Sequence, residues 1–156
     1  MPASVREQVV ANIATALGNV TTANGYENTL ASVQRFTQDG LTLSSVPCAV
    51  VTMDSERKSV GPNDRTTCDL DVNVDVWAVH DTDTYTGSTA TLVDSLAADC
   101  EKAIMQDTSR GGKARDTYID SVTPFRLAEG QPYVGATVSV RITYVHDLKD
   151  PYVERN

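Results

Sequence analysis

Apolar positions recur at spacings of three and four near the start of the chain and change to strict alternation in its middle. Val5, Val9, Ile13, Ala16 and Leu17 fall on one face of a helix predicted over 4–17. Ser4 stands where an N-cap would, with Glu7 three residues on at the spacing of a capping box, and Gly18 supplies a stop. A polar turn region around Asn24-Gly25 leads into a strand expected over 29–38, which Asp39-Gly40 breaks. Pro47 opens Pro-Cys-Ala-Val-Val-Thr-Met, a short apolar run that reads as a more buried strand over 47–54. Ser55 to Arg65 is polar and holds Gly61-Pro62-Asn63-Asp64, so a loop is expected there. The clearest strand spans 66–80. Cys68, Leu70, Val72, Val74, Val76 and Ala78 take one face, and Asp69, Asp71, Asn73 and Asp75 the other, as in an antiparallel strand with one wet side. Trp77 and Val79 break the polar face near its end, which implies that something covers that end.

A second helix is predicted over 89–107, with Leu92, Val93, Leu96, Cys100, Ala103 and Ile104 on one stripe. A flexible basic loop from Arg110 to Asp116 follows. A strand over 117–127 is interrupted or ended near Pro124, and a last strand over 135–146 alternates Ala136, Val138, Val140, Ile142 and Tyr144 against polar residues. The tail, 147–156, reads as extended. Helices with one apolar stripe and strands with one apolar face pack most economically as an α+β, two-layer domain. Its mainly antiparallel sheet would carry both helices on one face, in a single domain over 1–156.

Composition narrows the class. A chain of 156 residues with 40% hydrophobic and 22% charged residues is neither disordered throughout nor in need of a disulfide or metal to fold. No stretch approaches the roughly 20 apolar residues a bilayer requires. The start, Met1-Pro2-Ala3-Ser4-Val5-Arg6-Glu7, lacks the basic-then-apolar pattern of a secretory signal, so a soluble protein made inside the cell is expected. Thirteen Lys and Arg against 21 Asp and Glu give −8, and that field repels phosphate along any broad face. Cys48, Cys68 and Cys100 are odd in number and lack CxxC spacing, so they read as small hydrophobes.

No motif selects an enzyme. No GxSxG occurs, and the echo of His80-Asp81 and His146-Asp147 at two strand ends would make a hydrolase only if the two loops converged. Asp69, Asp71 and Asp75 share a face, but alternate residues of a rigid strand lie about 6–7 Å apart, so a hydrated face is expected rather than a cation site. The Asp81 to Gly87 loop resembles a calcium loop without its terminal Glu, and Gly111-Gly112-Lys113 lacks the remaining parts of a phosphate loop. Neither a catalytic residue, a cofactor nor a metal is therefore expected. The charges themselves are segregated. Arg57, Lys58 and Arg65 fall in one expected loop and Arg110, Lys113 and Arg115 in another, whereas residues 69–107 hold nine acids and one Lys. That separation suits head-to-tail contact between copies, basic loop against acidic face, with two solvated loops as the plain alternative.

The order of these segments resembles the tail terminator proteins of long-tailed bacteriophages. The residues that carry the resemblance are Ile13-Ala-Thr-Ala-Leu17, Gly25-Tyr26-Glu-Asn-Thr, Val33-Gln-Arg-Phe36, Val46-Pro-Cys-Ala-Val-Val51, the Asp/Val strand and the helix from Leu92 to Ile104. The ending Val140-Arg-Ile-Thr-Tyr144 through Asp150-Pro151-Tyr152 completes the set. It covers nearly the whole chain as a pattern, without a single diagnostic motif. The resemblance implies a structural virion protein assembled in the host bacterial cytoplasm, with six copies in a ring. The ring would cap the tail tube, join it to the head connector and let DNA pass without specific binding, away from any membrane. On that reading the two basic loops and the acidic face of Asp69, Asp71 and Asp75 are partner surfaces or channel lining. The segment from Tyr144 through Asp150 and Pro151 to Tyr152 would be a neighbour-binding arm. Other neck or head-completion adaptors of phages fit the same pattern. A small-molecule or peptide binding module using the sheet face around Trp77 is the other non-catalytic class.

Overall fold

The computed structural model describes residues 1–35, 45–79, 88–126 and 133–156. Helix α1 (Val5–Gly18) begins where Ser4 Oγ accepts the Glu7 N–H at 3.2 Å, one half of the expected capping box. The Glu7 carboxylate, rather than closing the box, takes the Arg35 guanidinium through both oxygens. Val5, Val9, Val10, Ile13 and Leu17 are buried. At about 1.5–3 kcal/mol for each fully buried aliphatic side chain, their packing outweighs intrinsic helix preference.

A short 3-10 turn, Thr22–Asn24, precedes strand β1 (Ser32–Arg35). Strand β2 spans Cys48–Gly61, β3 Arg65–Val79, helix α2 Ser88–Met105, β4 Asp116–Arg126 and β5 Tyr133–Asp147. The sheet order is β1-β2-β3-β5-β4. Among the described strands β1 and β2 are parallel, and every other neighbouring pair is antiparallel. Residues from α1 and α2 share one core with Cys68, Leu70, Val72, Val74, Val76 and Ala78 of β3 and Ala136, Val138, Val140, Ile142 and Tyr144 of β5. Both helices thus lie on one face of a mainly antiparallel sheet, the expected α+β arrangement.

The largest correction concerns 55–65. These residues are a β-hairpin, not a loop: β2 continues to Gly61 and pairs with β3 as far as Gly61↔Arg65. Asn63 (φ 61°) and Asp64 (φ 54°) supply the left-handed backbone that turns the chain. A register shift between Met53 and Ser55 explains why the pattern looked loop-like. One inserted residue moves the inward set from Ala49, Val51 and Met53 to Glu56 and Lys58, so period two fails across the bulge.

Smaller differences have similar causes. Strand β1 begins at Ser32, and 36–38 of the expected strand lie outside the described residues. Strand β4 runs through Pro124, opposite Ala136, because among the described residues it is an edge strand, with no partner on its outer side to need the missing N–H. Leu127 falls outside the described residues. Helix α2 stops at Met105, and Asp107 instead accepts from Ser109 N, Ser109 Oγ and Gly111 N.

The tail is not an extended arm. It folds back on β5: Asp147 N donates to Val153 O (2.8 Å), Arg155 N to Val145 O (3.1 Å) and Val145 N to Asn156 Oδ1 (3.0 Å). His146 and Glu154 form an antiparallel bridge, and Pro151 O receives the first N–H of α1. The segment satisfies backbone groups that β4, starting at Asp116↔Thr143, leaves open higher on β5.

Candidate functional site

The sheet face turned away from the helices is a polar ladder. Thr143 Oγ1 donates to Asp69 Oδ1 (2.7 Å), and Thr137 Oγ1 to Asp75 Oδ1 (2.6 Å). Ser139 Oγ lies 3.1 Å from Asn73 Oδ1, and Arg141 Nε donates to Asp71 Oδ1 at 2.8 Å. Each pair is directly opposite in the β3–β5 register, the geometry in which cross-strand side chains meet. Ser55 Oγ adds a bond to Asp71 from the β2 side. Arg141, and secondarily Ser55, hold the Asp71 carboxyl below its usual range. The three carboxylates are therefore fixed by β5, half-buried and spaced along a rigid strand. Among the described residues no group of three His, Cys, Asp or Glu is placed to hold a metal.

At one end of this face Trp77 packs edge-on against Phe125, with ring centroids 4.6 Å apart. Gly135, opposite Trp77 in β5, makes the packing possible: a Cβ there would collide with the Val76 carbonyl and lie 2.7 Å from Phe125 Cζ. Trp77 Nε1 has no hydrogen-bond partner among the described residues.

On the helix side, at the start of α1, lies a cluster the sequence did not reveal. Glu56, with 9% of its side chain exposed, receives Arg6 Nη1 at 3.1 Å, Lys58 Nζ at 3.4 Å and the Tyr144 hydroxyl. Burial, and then the Glu56 hydrogen bond, push the Tyr144 phenol well above its ordinary pKa. Lys58 Nζ also lies 3.4 Å from His146 Nε2, while His146 Nδ1 faces its neighbour's carbonyl, Asp147 O, at 2.5 Å. These contacts tie the base of the β2–β3 hairpin to α1 and β5. A depression of about 230 Å³ beside them is lined by Arg6, Met53, Asp54, Ser55, Glu56 and Leu70.

The expected partner residues separate into groups. Arg57 and Arg65 are exposed on the hairpin, and Arg115 is exposed before β4. Lys58 is committed to Glu56 and His146, and Lys113 to Glu154 at 2.6 Å. Arg110 is 1% exposed and cannot be a partner surface. It sits in the left-handed region (φ 51°), and its Nη2 caps the end of α2 through the Ile104 carbonyl. Its Nε and Nη1 have no partner among the described residues, and burial lowers its pKa. Tyr144 is likewise 1% exposed and belongs to the core, not to an arm. Asp150 is turned onto its own chain, accepting from Tyr152 N at 2.9 Å, and Tyr152 is 49% exposed beyond Pro151. His80, Asp81 and the rest of the loop to Gly87 lie outside the described residues.

Asp99 was visible only as a charge on α2. It is 5% exposed and accepts from Glu27 N (3.2 Å), Asn28 N (2.8 Å) and Asn28 Nδ2 (2.9 Å), pinning the turn before β1 onto the helix. The ladder did leave a signal: polar Thr137, Ser139, Arg141 and Thr143 alternate on β5 as Asp69, Asp71, Asn73 and Asp75 do on β3. No protein-family model matches the chain, and no curated protein is similar to it. No helix among the described residues is long and apolar enough to cross a membrane.

Proposed function

We propose that this chain is a non-catalytic structural subunit of a bacteriophage virion, resembling a tail terminator. Copies form a ring, six in the family it resembles, that caps the tail tube and meets the head connector around a channel for DNA. The observation that supports this reading best is the sheet face of Asp69, Asp71 and Asp75. Thr143 and Thr137 hold Asp69 and Asp75 without neutralising them, while Arg141 balances Asp71, so the ladder keeps an acidic excess on a rigid strand that cannot fold around a phosphate. Such a face beside a passing duplex repels rather than grips it. A subunit with one helical layer and one polar sheet layer can turn the sheet to the channel and leave the helices outside.

The test is solution mass by light scattering, alone and with tail-tube protein, at low and high salt. A closed assembly that binds one end of the tube supports the reading. A monomer at every concentration, with and without tube and connector proteins, overturns it. A binding module centred on Trp77 is the second reading, favoured by the unpartnered Trp77 Nε1. It predicts a monomer whose Trp fluorescence responds to a small ligand.

A further inference from the structure

Among the described residues, β2 at one side of the sheet and β4 at the other offer unpaired backbone. Strand β1 covers β2 only from Cys48 to Val51, so among the described residues the far side of β2 is open from Thr52 to Gly61. Among the described residues strand β4 pairs with β5 alone, and its far side is open too. Open edges invite a further strand, and proteins that leave them open without a use for them risk aggregation.

Direction and register say which strand fits. Strand β2 is antiparallel to β3, β3 to β5 and β5 to β4, so β4 of one copy laid beside β2 of the next runs antiparallel and continues the sheet. The levels also correspond. Arg57, Asp69, Thr143 and Asp116 form one row straight across the sheet, and Ser55, Asp71, Arg141 and Tyr118 the row beside it. A neighbour added straight across therefore sets Asp116 against Arg57 on the polar face. Both residues are exposed, and neither makes a salt bridge among the described residues. Irregularities between Met53 and Ser55 in β2 and between Ile119 and Ser121 in β4, with Pro124 beyond, confine regular pairing to the upper ends of both strands.

We propose that the open edge of β2 beginning at Ser55 is the docking strand for the start of β4, Asp116 to Ile119, of a second copy, with Arg57 facing Asp116. The contact is heterologous, so it closes into a ring only at a fixed rotation between copies. This deepens the ring reading and rests on it, since it states how neighbouring copies join.

The experiment mixes an Arg57→Cys protein with an Asp116→Cys protein under mild oxidation. Directly opposed strand residues have Cα atoms about 4.5–5.5 Å apart, within the roughly 4.4–6.8 Å that a disulfide spans. The native Cys48, Cys68 and Cys100 are buried and do not compete. The mixture should give a covalent dimer, and a chain carrying both substitutions a ladder ending at the ring. Asp94→Cys, exposed on α2 in the other layer, paired with Asp116→Cys should not cross-link. Arg57→Asp should weaken assembly at least tenfold, and adding Asp116→Arg to the same chain should restore it. If the protein assembles but the 57–116 pair links no faster than the control and Arg57→Asp assembles unchanged, strand addition is overturned and the ring survives. A monomer under all conditions, with tail-tube protein included, removes both.

Discussion

Replacing Asp99 with Ala should destabilise the chain by about 2 kcal/mol, far more than loss of an ordinary helix carboxylate. The carboxylate holds three donors, two of them backbone N–H groups, and is 5% exposed. A buried donor left without a partner costs about 1–3 kcal/mol. Glu27 is exposed, so water can reach its N–H once the carboxylate is gone. Asn28 Nδ2 keeps Ser95 Oγ as a partner at 3.0 Å, so the half-buried Asn28 N–H carries most of the loss. Relief from burying a carboxylate that has no cationic partner among the described residues offsets part of the cost, which keeps the total near that of one unpaired donor. At about 2–4 °C per kcal/mol for a chain of this size, Tm should fall by about 4–8 °C. Urea unfolding is the assay: the midpoint should move while the slope stays constant. Asp99→Asn keeps one acceptor oxygen and should fall between the two. Asp94→Ala, on the exposed side of the same helix, should stay within about 0.5 kcal/mol of the original. If Asp99→Ala and Asp94→Ala cost the same, the argument that Asp99 pins the turn before β1 fails.

Other outcomes can be checked with the same proteins. Asp71 has its pKa lowered in the fold, so its contribution is present above the unfolded carboxylate pKa of about 3.9 and is lost as pH falls below that value toward the folded one. The Tm gap between the original and Asp71→Asn should therefore be open at pH 6 and shrink in acid, and a gap that widened in acid would reverse the sign. Gly135→Ala places a methyl against the Val76 carbonyl and Phe125, and should cost about 2–3 kcal/mol and change the near-ultraviolet signal of Trp77. The three thiols are buried, and burial with the nearby Asp99 and Glu101 charges pushes Cys100 up to about 12. Labelling by a thiol reagent should accordingly follow global unfolding, and a fast phase in native buffer would contradict the burial.

Much of the architecture was legible in the chain because it depends on short-range periodicity. The stripe on α1, the stripe on α2 and the alternation of β3 and β5 each state which face is buried, and together they imply helices on one side of a sheet. What escaped was set by partners distant in sequence. The polar stretch from Ser55 to Lys58 is a strand because β3 pairs with it, and the bulge before it disguised its period. Arg110 looked like Lys113 in a basic loop, yet one is buried at the end of a helix and the other reaches Glu154 at the surface. Composition assigns a charge, but only packing decides whether water, a carbonyl or a carboxylate meets it. The same holds for the acidic face: the sequence by itself determined that Asp69, Asp71 and Asp75 share a side of one strand. Tertiary structure decided that Thr143, Arg141 and Thr137 stand opposite them, because strand register is a long-range property that no local spacing contains.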